Sequence, residues 1–237
     1  DSSYTPPLAA RMRPEQLRDV AGQKQLIGED GLLQSMIAGG RLSSMILWGP
    51  PGSGKTTIAR LLASETDIPF HSISAISSGV AELRQVINSA NSRPPLLLFI
   101  DEIHRFNKGQ QAALLAAVEE GAVILVGATT ENPGFEVIAP LLSRCHVLQL
   151  EPLSQSDLQS LLQRALAEDP QLRESELQFT TEAESLLTIQ AGGDARRLYK
   201  ILELCLIISR SDTEKKQKIP LDDEFVNKVL ASEALPS

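Results

Sequence analysis

Apolar residues along the chain form two kinds of run, and the change from one kind to the other divides the sequence. Up to about residue 150, short unbroken apolar stretches predict strands, and they alternate with longer stretches in which apolar residues recur every three or four positions and predict helices. The predicted strands are MILWG, FHSI, LLLFI, AVILVG and HVLQL, and the predicted helices are KTTIARLLASE, VAELRQVINSA and QQAALLAAVEE. Unbroken apolar runs are typical of strands buried on both faces of a parallel sheet, so we predict an α/β fold with a parallel five-stranded sheet flanked by helices.

After residue 151 the pattern is helical only, in SDLQSLLQRALAED, TEAESLLTIQA, GDARRLYKILELCLIIS and DDEFVNKVLA. Ser154, with Asp157 three residues later, predicts the N-cap and capping box of the first of these helices. We therefore expect an α/β domain at 21–151 and a small all-helical lid domain at 152–237. Residues 1–20, rich in Pro and Arg, predict an extended N-terminal arm, and SRSDTEKKQK predicts a loop.

The composition is that of an ordinary globular chain, with 42% hydrophobic and 22% charged residues. No apolar run is long enough to span a bilayer, so no membrane partner is expected. Cys145 and Cys205 lack metal-ligand spacing and predict buried or half-buried thiols in a reducing, intracellular compartment. The net charge of -8 argues against a coat of nucleic acid but leaves a local basic stripe open, and 4% aromatic residues argue against base stacking as the main mode of binding.

The segment GPPGSGKTT, residues 49–57, has the spacing of a phosphate-binding loop. Glycines let backbone N–H groups curl around phosphate oxygens, a lysine reaches the outer phosphates, and the following hydroxyl ligates Mg²⁺. The segment lies between a predicted strand and a predicted helix, which is the context that such a loop requires. The predicted nucleotide-binding residues are Gly49, Pro50, Pro51, Gly52, Ser53, Gly54, Lys55, Thr56 and Thr57, of which Lys55 is also predicted to be catalytic.

A pair of carboxylates ends the third predicted strand, in LLLFIDEIHRF. Asp101 at a strand tip can hold Mg²⁺ through water, and Glu102 beside it can orient and deprotonate a water molecule that attacks a γ-phosphate. A P-loop kinase would instead exclude that water and bring an acceptor substrate, so Glu102 favours hydrolysis. The alternative that the two carboxylates only cap a loop stays open at this point.

Other polar residues with candidate roles in hydrolysis follow later elements. Thr130 and Asn132, after AVILVG, can hydrogen-bond the attacking water or the γ-phosphate, although a Thr-Thr pair after a strand is also typical of a turn. Arg144 precedes the last strand, and Arg196 and Arg197 begin a helix in GDARR. Arginine neutralises charge on a transferring phosphoryl group, sometimes from a neighbouring subunit, but an isolated arginine is more often a surface residue.

Together these motifs resemble those of an AAA+ ATPase. More narrowly, the chain resembles the bacterial RarA/MgsA and eukaryotic Werner-interacting-protein group, relatives of clamp loaders and of the Holliday-junction motor RuvB. The resemblance runs from about Leu8 to Arg197 and rests on PLAARMRP, GQ at Gly22-Gln23, SMILWGPPGSGKTT, IDEIHRFNKGQQ, GATTENPGFEV, LLSRC and GDARR. HRFNK and GATTENP are more specific to the group than the phosphate loop.

The resemblance implies a role for each matching residue. Lys55 and Thr56 would bind phosphate and Mg²⁺, Asp101 would ligate Mg²⁺, and Glu102 would activate water. Further implied roles are a sensor-1 position at Thr130, an arginine finger acting on the adjacent subunit at Arg144, a sensor-2 position at Arg196, and an adenine pocket lined by the arm from Arg13 to Gln23. ATP is preferred over GTP only by resemblance, although no complete Asn-Lys-x-Asp guanine motif occurs.

The resemblance also implies partners: DNA, further subunits of a homo-oligomer that is a tetramer in full-length relatives, and, as a candidate, single-strand-binding protein. Arg105 and Lys108 follow the Glu102 turn and are candidate contacts to a DNA backbone, but His104 and Arg105 are equally able to brace that turn alone. We predict an ATP-hydrolysing protein of DNA replication and recombination maintenance, stimulated by single-stranded or forked DNA, cytoplasmic and associated with the bacterial nucleoid. The alternative is an AAA+ remodeller of protein complexes that does not contact DNA.

Two features depart from the group. The helix after GDARR reads RRLYKILELC where relatives have RRALN, and the chain stops at Ser237 where relatives continue into helical domains that mediate tetramer formation. Since the chain also begins with Asp1 rather than Met, we expect an ATPase core fragment. We expect that fragment to self-associate weakly and to hydrolyse ATP weakly, which sedimentation and turnover measurements test.

Overall fold

The computed structural model describes residues 4–93, 95–211 and 220–233. The chain divides into two compact units, which we call the sheet unit, Pro14–Glu151, and the helical unit, Asp1–Arg13 with Pro152–Ser237. Helix continues to Ser211, so the start of the predicted SRSDTEKKQK loop is helical, and the rest of that loop lies outside the described residues.

Five strands form one sheet in the sheet unit, in the order β2-β3-β4-β1-β5. The neighbouring strands pair in parallel, which confirms the predicted α/β fold with a parallel five-stranded sheet. The strands are β1 Met45–Trp48, β2 Phe70–Ser74, β3 Leu96–Asp101, β4 Val123–Thr129 and β5 His146–Gln149.

Alternate strand residues face two separate apolar layers. Leu97 and Phe99 of β3 lie in the layer that contains Ile58 and Leu62, whereas Leu98 lies in the layer on the other face. Because both faces are covered, consecutive strand residues are apolar, and this is the physical reason for the unbroken apolar runs in the sequence.

The long helices form where apolar residues recur every three or four positions, whereas the short helices show no such repeat. Six helices of four to seven residues, α1, α2, α3, α7, α8 and α10, were not predicted because they are too short to show a helical repeat. Two 3-10 helices cover Leu17–Asp19 and Ile103–Arg105. The α-helices are α1 Leu8–Arg11, α2 Lys24–Ile27, α3 Leu32–Ala38, α4 Lys55–Glu65, α5 Val80–Ser92, α6 Lys108–Glu119, α7 Pro133–Glu136, α8 Ala139–Leu142, α9 Gln155–Glu168, α10 Pro170–Ser175, α11 Thr181–Ala191, α12 Ala195–Ser211 and α13 Asp223–Ala231.

The part of the helical unit that follows residue 151 starts with the capping box that the sequence predicts. The hydroxyl of Ser154 accepts the Asp157 backbone N–H, and the Asp157 carboxylate accepts the Ser154 N–H, each at 3.0 Å. Both interactions satisfy N–H groups that a helix N-terminus otherwise leaves unpaired. This fixes the start of α9 just after the last strand.

The described residues up to Arg13 belong to the helical unit and include helix α1. The prediction of one extended arm at 1–20 is therefore wrong. Leu8 is fully buried in α1, and the division between units falls after Arg13. The two preceding prolines do not prevent α1, because a proline before the first helical turn removes no hydrogen bond that the helix needs.

An ion pair fastens this segment inside the helical unit. Arg11 Nε lies 2.7 Å from Asp169 Oδ1 and Nη2 lies 3.1 Å from Oδ2, with the Asp169 side chain fully buried and that of Arg11 17% exposed. Burial alone would raise the pKa of the Asp169 carboxyl, but hydrogen bonds from Arg11 and from the Leu172 N–H outweigh burial and hold the pKa below its usual value. The pair therefore stabilises the folded helical unit at neutral pH.

Among the described residues, no helix combines the length and the apolar character needed to cross a bilayer.

Candidate nucleotide-binding and hydrolysis site

The carboxyl ends of three neighbouring strands bring the predicted site segments to one edge of the sheet. β4 lies between β1 and β3, so the residues after β4 stand between the loop that follows β1 and the turn that follows β3. The Gly49 N–H donates to the Thr129 carbonyl at 3.1 Å, which joins the first two of these segments. Neighbouring strands lie about 4.8 Å apart, so the edge spans roughly 10 Å from β1 to β3. Ligands of open parallel sheets bind outside these carboxyl ends.

Glycines shape the loop at 49–57. Gly52 and Gly54 have φ angles of 77° and 94°, in the left-handed region where a side chain is strained. At Gly49 the reason is close approach, since a Cβ atom there would lie 2.8 Å from the Leu150 carbonyl oxygen and 2.9 Å from the Leu150 Cβ. The backbone path of the loop therefore depends on glycine at these positions.

Lys55 begins α4, and its ammonium group turns back over the loop. Its Nζ donates to the carbonyls of Gly49 at 2.7 Å and Pro50 at 2.8 Å, and lies 3.3 Å from the Ser53 hydroxyl. The eleven-residue helix α4 adds its N-terminal N–H groups and its partial positive charge at the same place. This arrangement is suited to bind a polyphosphate.

The two carboxylates lie at the end of β3. Asp101 is exposed and Glu102 is half-buried, with φ 54° and ψ 48° at Glu102, so the chain turns sharply at that residue. The Glu102 carbonyl accepts the Arg105 N–H at 2.9 Å. Across the described ranges neither carboxylate forms an ion pair with lysine or arginine, so both can act on a cation or a water molecule.

The available donors fit Mg²⁺ brought by a nucleotide. Thr56 is exposed at the start of α4, and Asp101 is exposed at the strand tip, so both offer the hard oxygen ligands that Mg²⁺ takes. The described residues contain no cluster of three or more His, Cys, Asp and Glu side chains that could hold a metal ion alone. Two protein oxygens completed by phosphate and water are the usual setting of Mg²⁺ at nucleotides.

The two threonines after β4 differ in environment. Thr129, the last residue of the strand, is 1% exposed, and its hydroxyl accepts the Glu131 N–H at 2.9 Å. Thr130 is exposed and follows directly at the edge between the phosphate loop and Glu102. The side chain of Asn132 caps α7 by accepting the Gly134 N–H at 3.0 Å. The Thr130 side chain is therefore exposed at this edge, whereas the side chains of Thr129 and Asn132 hydrogen-bond within the segment that follows β4.

Gln23 is buried and makes a two-point contact with the end of the sheet unit. Its Nε2 donates to the Glu151 carbonyl at 2.7 Å, and its Oε1 accepts the Glu151 N–H at 3.0 Å. Gln23 itself has a left-handed φ of 54°. The side chain joins two segments 128 residues apart, a structural role that exists beside the predicted adenine contact.

The predicted arginines lie on the surfaces of their units. Arg144 follows α8 and lies 3.2 Å from Glu119 of α6, with both side chains largely exposed. In the helical unit, Arg197 pairs with Glu233 at 2.6 Å, whereas Arg196 is 69% exposed and lies 3.7 Å from Asp194. Of the two adjacent arginines, Arg196 is therefore the one open to a ligand.

The segment after Glu102 divides into buried and exposed parts. Arg105 and Lys108 are exposed, whereas the Nδ1 atom of His104 lies 2.9 Å from the Thr129 hydroxyl. The His104 side chain therefore contacts the end of β4. The exposed side chains of Arg105 and Lys108 remain available to a partner.

Gln111 was not singled out by the sequence, yet its side chain is buried and fully used. Its Nε2 donates to the carbonyls of Phe106 and Glu136, each at 3.1 Å, and its Oε1 accepts the Ile138 N–H at 2.8 Å. It thus joins HRFNKGQQ to GATTENPGFEV, the two motifs most specific to the resemblance. The available signal was a glutamine three residues before Leu114, in step with the apolar repeat of α6, since a buried amide needs polar partners.

Comparisons with known proteins place these segments in a family. The family described as ATPase family associated with various cellular activities (AAA) matches residues 45–153. Replication-associated recombination protein A of Coxiella burnetii is 43% identical over 94% of the chain and 51% of its own length, and ATPase WRNIP1 of Dictyostelium discoideum is 40% identical over 90% of the chain and 25% of its own length. The chain thus spans about half of the bacterial relative.

A solved structure also matches. The Thermotoga maritima RuvB Holliday junction branch migration motor superposes with a TM-score of 0.75 and 26% identity, over 93% of the chain and 72% of the RuvB chain. Sequence and fold agree: residues 45–153 form a domain of the AAA ATPase family, and the chain is a homologue of replication-associated recombination protein A and ATPase WRNIP1 over the part that it spans.

Proposed function

We propose that this protein hydrolyses ATP to ADP and phosphate and uses the reaction in DNA replication and recombination maintenance. The observation that carries the proposal is the order of segments at the carboxyl edge: the phosphate loop, then Thr129 and Thr130, then Asp101 and Glu102. This order supports a proposed phosphate-binding element, polar sensor and water-activating carboxylate side by side at one edge of the sheet. The names of the homologues support the setting in DNA maintenance.

The chemistry follows from the residue types. The loop N–H groups and Lys55 hold the phosphates, and Thr56 and Asp101 would hold Mg²⁺, whose charge neutralises the phosphate oxygens when it is bound. Glu102 takes a proton from a water molecule while the oxygen of that water forms a bond to the γ-phosphorus. The bond from that phosphorus to the bridging oxygen breaks, and its electron pair leaves with ADP.

Thr130 and two arginines complete the proposal. Thr130 would hydrogen-bond the γ-phosphate or the attacking water. Arg144 would act on ATP bound in an adjacent subunit, and Arg196 would reach the nucleotide of its own subunit. The exposure of both arginine side chains is compatible with these roles, and the Arg197–Glu233 pair favours Arg196 over its neighbour.

DNA is proposed as the activating partner through Arg105 and Lys108. Both are exposed, and they follow Glu102 by three and six residues, so a phosphate backbone held there would lie next to the catalytic turn. The homo-oligomer, the single-strand-binding protein and the nucleoid-associated location stay predictions. The alternative function is remodelling of protein complexes without DNA contact.

The test is ATP turnover with and without single-stranded or forked DNA. We expect DNA to stimulate turnover, the Glu102→Gln variant to lower turnover to a small but measurable residual rate, and Arg105→Ala with Lys108→Ala to remove stimulation but not basal turnover. Arg173→Ala and Lys228→Ala, which change exposed residues of the helical unit, serve as matched charge controls. If each basic residue contacts one phosphate, each change lowers the salt dependence of DNA binding by about one unit of slope. Turnover that ignores DNA favours the remodeller, and absence of turnover across a protein concentration series contradicts the proposed hydrolysis.

A further inference from the structure

We propose that His104 is a positioning residue for ATP hydrolysis: through Thr129 it holds the turn that carries Glu102 in a fixed place relative to the phosphate loop. The inference rests on the proposed hydrolysis and adds to it a residue that acts through Glu102 rather than on the substrate.

The Glu102 turn needs support from outside itself. Glu102 adopts the left-handed φ of 54°, which a residue with a side chain keeps only when its surroundings over-determine it. The next two residues supply contacts to β4. Ile103 is fully buried, and its Cδ1 would lie 2.9 Å from a Cβ atom built on Gly127, so Ile103 packs directly over that glycine.

His104 supplies the polar contact two residues further along the same strand. Its Nδ1 lies 2.9 Å from the Thr129 hydroxyl, and positions 127 and 129 share one face of β4 because strand side chains alternate. The turn is thus attached to β4 by an apolar contact at Gly127 and by a hydrogen bond at Thr129. Two separated contacts restrict rotation as well as translation of the turn.

Thr129 links this attachment to the phosphate loop. Its carbonyl accepts the Gly49 N–H at 3.1 Å, and its hydroxyl faces His104. A continuous line therefore runs from the first residue of the loop, through Thr129, to the residue two positions after Glu102. Thr129 is 1% exposed, so water does not replace either contact at low cost.

The Thr129 hydroxyl can hydrogen-bond His104 in either histidine tautomer. It accepts the Glu131 N–H at 2.9 Å and lies 3.2 Å from the Glu131 carbonyl. When His104 Nδ1 is an acceptor, the hydroxyl proton goes to His104; when Nδ1 carries a proton, the hydroxyl accepts it and donates to the Glu131 carbonyl. The contact is therefore a fixed brace and not a switch.

The experiment measures ATP turnover and the Kd of a fluorescent ATP analogue in the purified protein, with His71→Ala as the matched control on an exposed histidine of β2. We expect His104→Ala to lower kcat roughly 10-fold, because a small misplacement of a catalytic group is enough for a loss of this size. The Kd should stay within about 2-fold, because the phosphate loop is intact. His104→Asn, whose amide reaches a similar position to Nδ1, should recover most of the rate.

The second arm asks whether His104 acts through Glu102. In a Glu102→Gln background, His104→Ala should cause no further loss, because the group that it positions is gone. Should His104→Ala prove unstable, Thr129→Val, with Thr129→Ser as its control, removes the same contact at nearly constant volume. Each of these variants is compared with its control for thermal unfolding.

Three results overturn the inference. The first is a His104→Ala rate equal to that of His71→Ala. The second is a rise in Kd as large as the fall in kcat, or a fall in kcat that is explained by a lower unfolding temperature. The third is a further 10-fold fall in kcat when His104→Ala is added to Glu102→Gln. If the unaltered protein does not hydrolyse ATP, the proposed function fails and this inference fails with it. Hydrolysis that is unaffected by His104→Ala removes the inference alone.

Discussion

The ion pair between Arg11 and Asp169 gives the sharpest prediction about stability. Replacing Arg11 with Met keeps most of the apolar stem but leaves the fully buried Asp169 carboxylate without its charged partner. Removing one member of a buried pair costs about 3–5 kcal/mol. We expect about 3 kcal/mol, the lower end, because Arg11 is 17% exposed and Asp169 keeps its hydrogen bond from the Leu172 N–H.

The pH dependence has a defined sign. Asp169 has a folded-state pKa below its unfolded value, so its contribution is complete above the unfolded pKa, about 3.9 for aspartate, and is lost as the pH falls through the lowered folded pKa. In the Arg11→Met variant, protonation of the buried carboxyl relieves the unpaired charge. The difference between the variant and the unaltered protein should therefore be largest near pH 7 and shrink in acid.

The assay is urea unfolding followed by circular dichroism from pH 3 to 7, with hydrogen exchange of α9 to α13 to assign the loss to the helical unit. Arg173→Ala, an exposed arginine of α10, is the matched control and should stay within about 0.5 kcal/mol. Combining Arg11→Met with Asp169→Asn, which keeps the N-cap of α10, should recover part of the loss. A variant as stable as the control at pH 7, or a deficit that does not shrink in acid, refutes the reasoning.

Three further predictions concern the sheet unit and the thiols. Gly49→Ala should abolish binding of an ATP analogue and destabilise by about 1–3 kcal/mol, because its Cβ meets backbone of Leu150, whereas Gly79→Ala, with open space around it, should do neither in the same titration. Gln111→Leu should cost about 1–3 kcal/mol in urea unfolding, because it removes one buried and two part-buried hydrogen bonds to backbone groups, while Gln25→Leu, at an exposed position, should be nearly neutral; equal losses would contradict the assignment. Burial raises the pKa of the Cys145 thiol to about 11 and of the Cys205 thiol to about 12, so iodoacetamide should label both slowly at pH 8 and rapidly in urea, and fast labelling of the folded protein would show that they are accessible.

Much of the fold was predictable because burial on both sheet faces leaves unbroken apolar runs in the sequence. The phosphate loop and the carboxylate pair were predictable because each is a local pattern next to a strand. The structure then adds what alternation decides, namely that Thr129 is buried and Thr130 exposed, which the repeated letters of GATT do not reveal. Their separate environments depend on the pleat of β4 and on the end of the strand at Thr129.

The unpredicted features are contacts between distant segments. Gln23 and Glu151 are 128 residues apart, and Arg11 and Asp169 are 158 residues apart. No periodic pattern links such residues, and a proline-rich start is ordinarily read as extended. That is why α1 was missed and why residues 1–20 were expected to form one arm. The chain folds them into two different units because each half has its own buried partners.

The early position of Arg11 also affects the order of events during synthesis. Arg11 and Leu8 leave the ribosome well before Asp169, and at 5–20 residues per second the 158 intervening residues take roughly 8–30 seconds to make. The sheet unit is continuous in sequence and can fold within that interval. The segment around Leu8 must wait, with that apolar side chain uncovered, until the last third of the described chain emerges. A chaperone that binds short apolar segments, or slow translation after residue 151, would therefore act on this segment first.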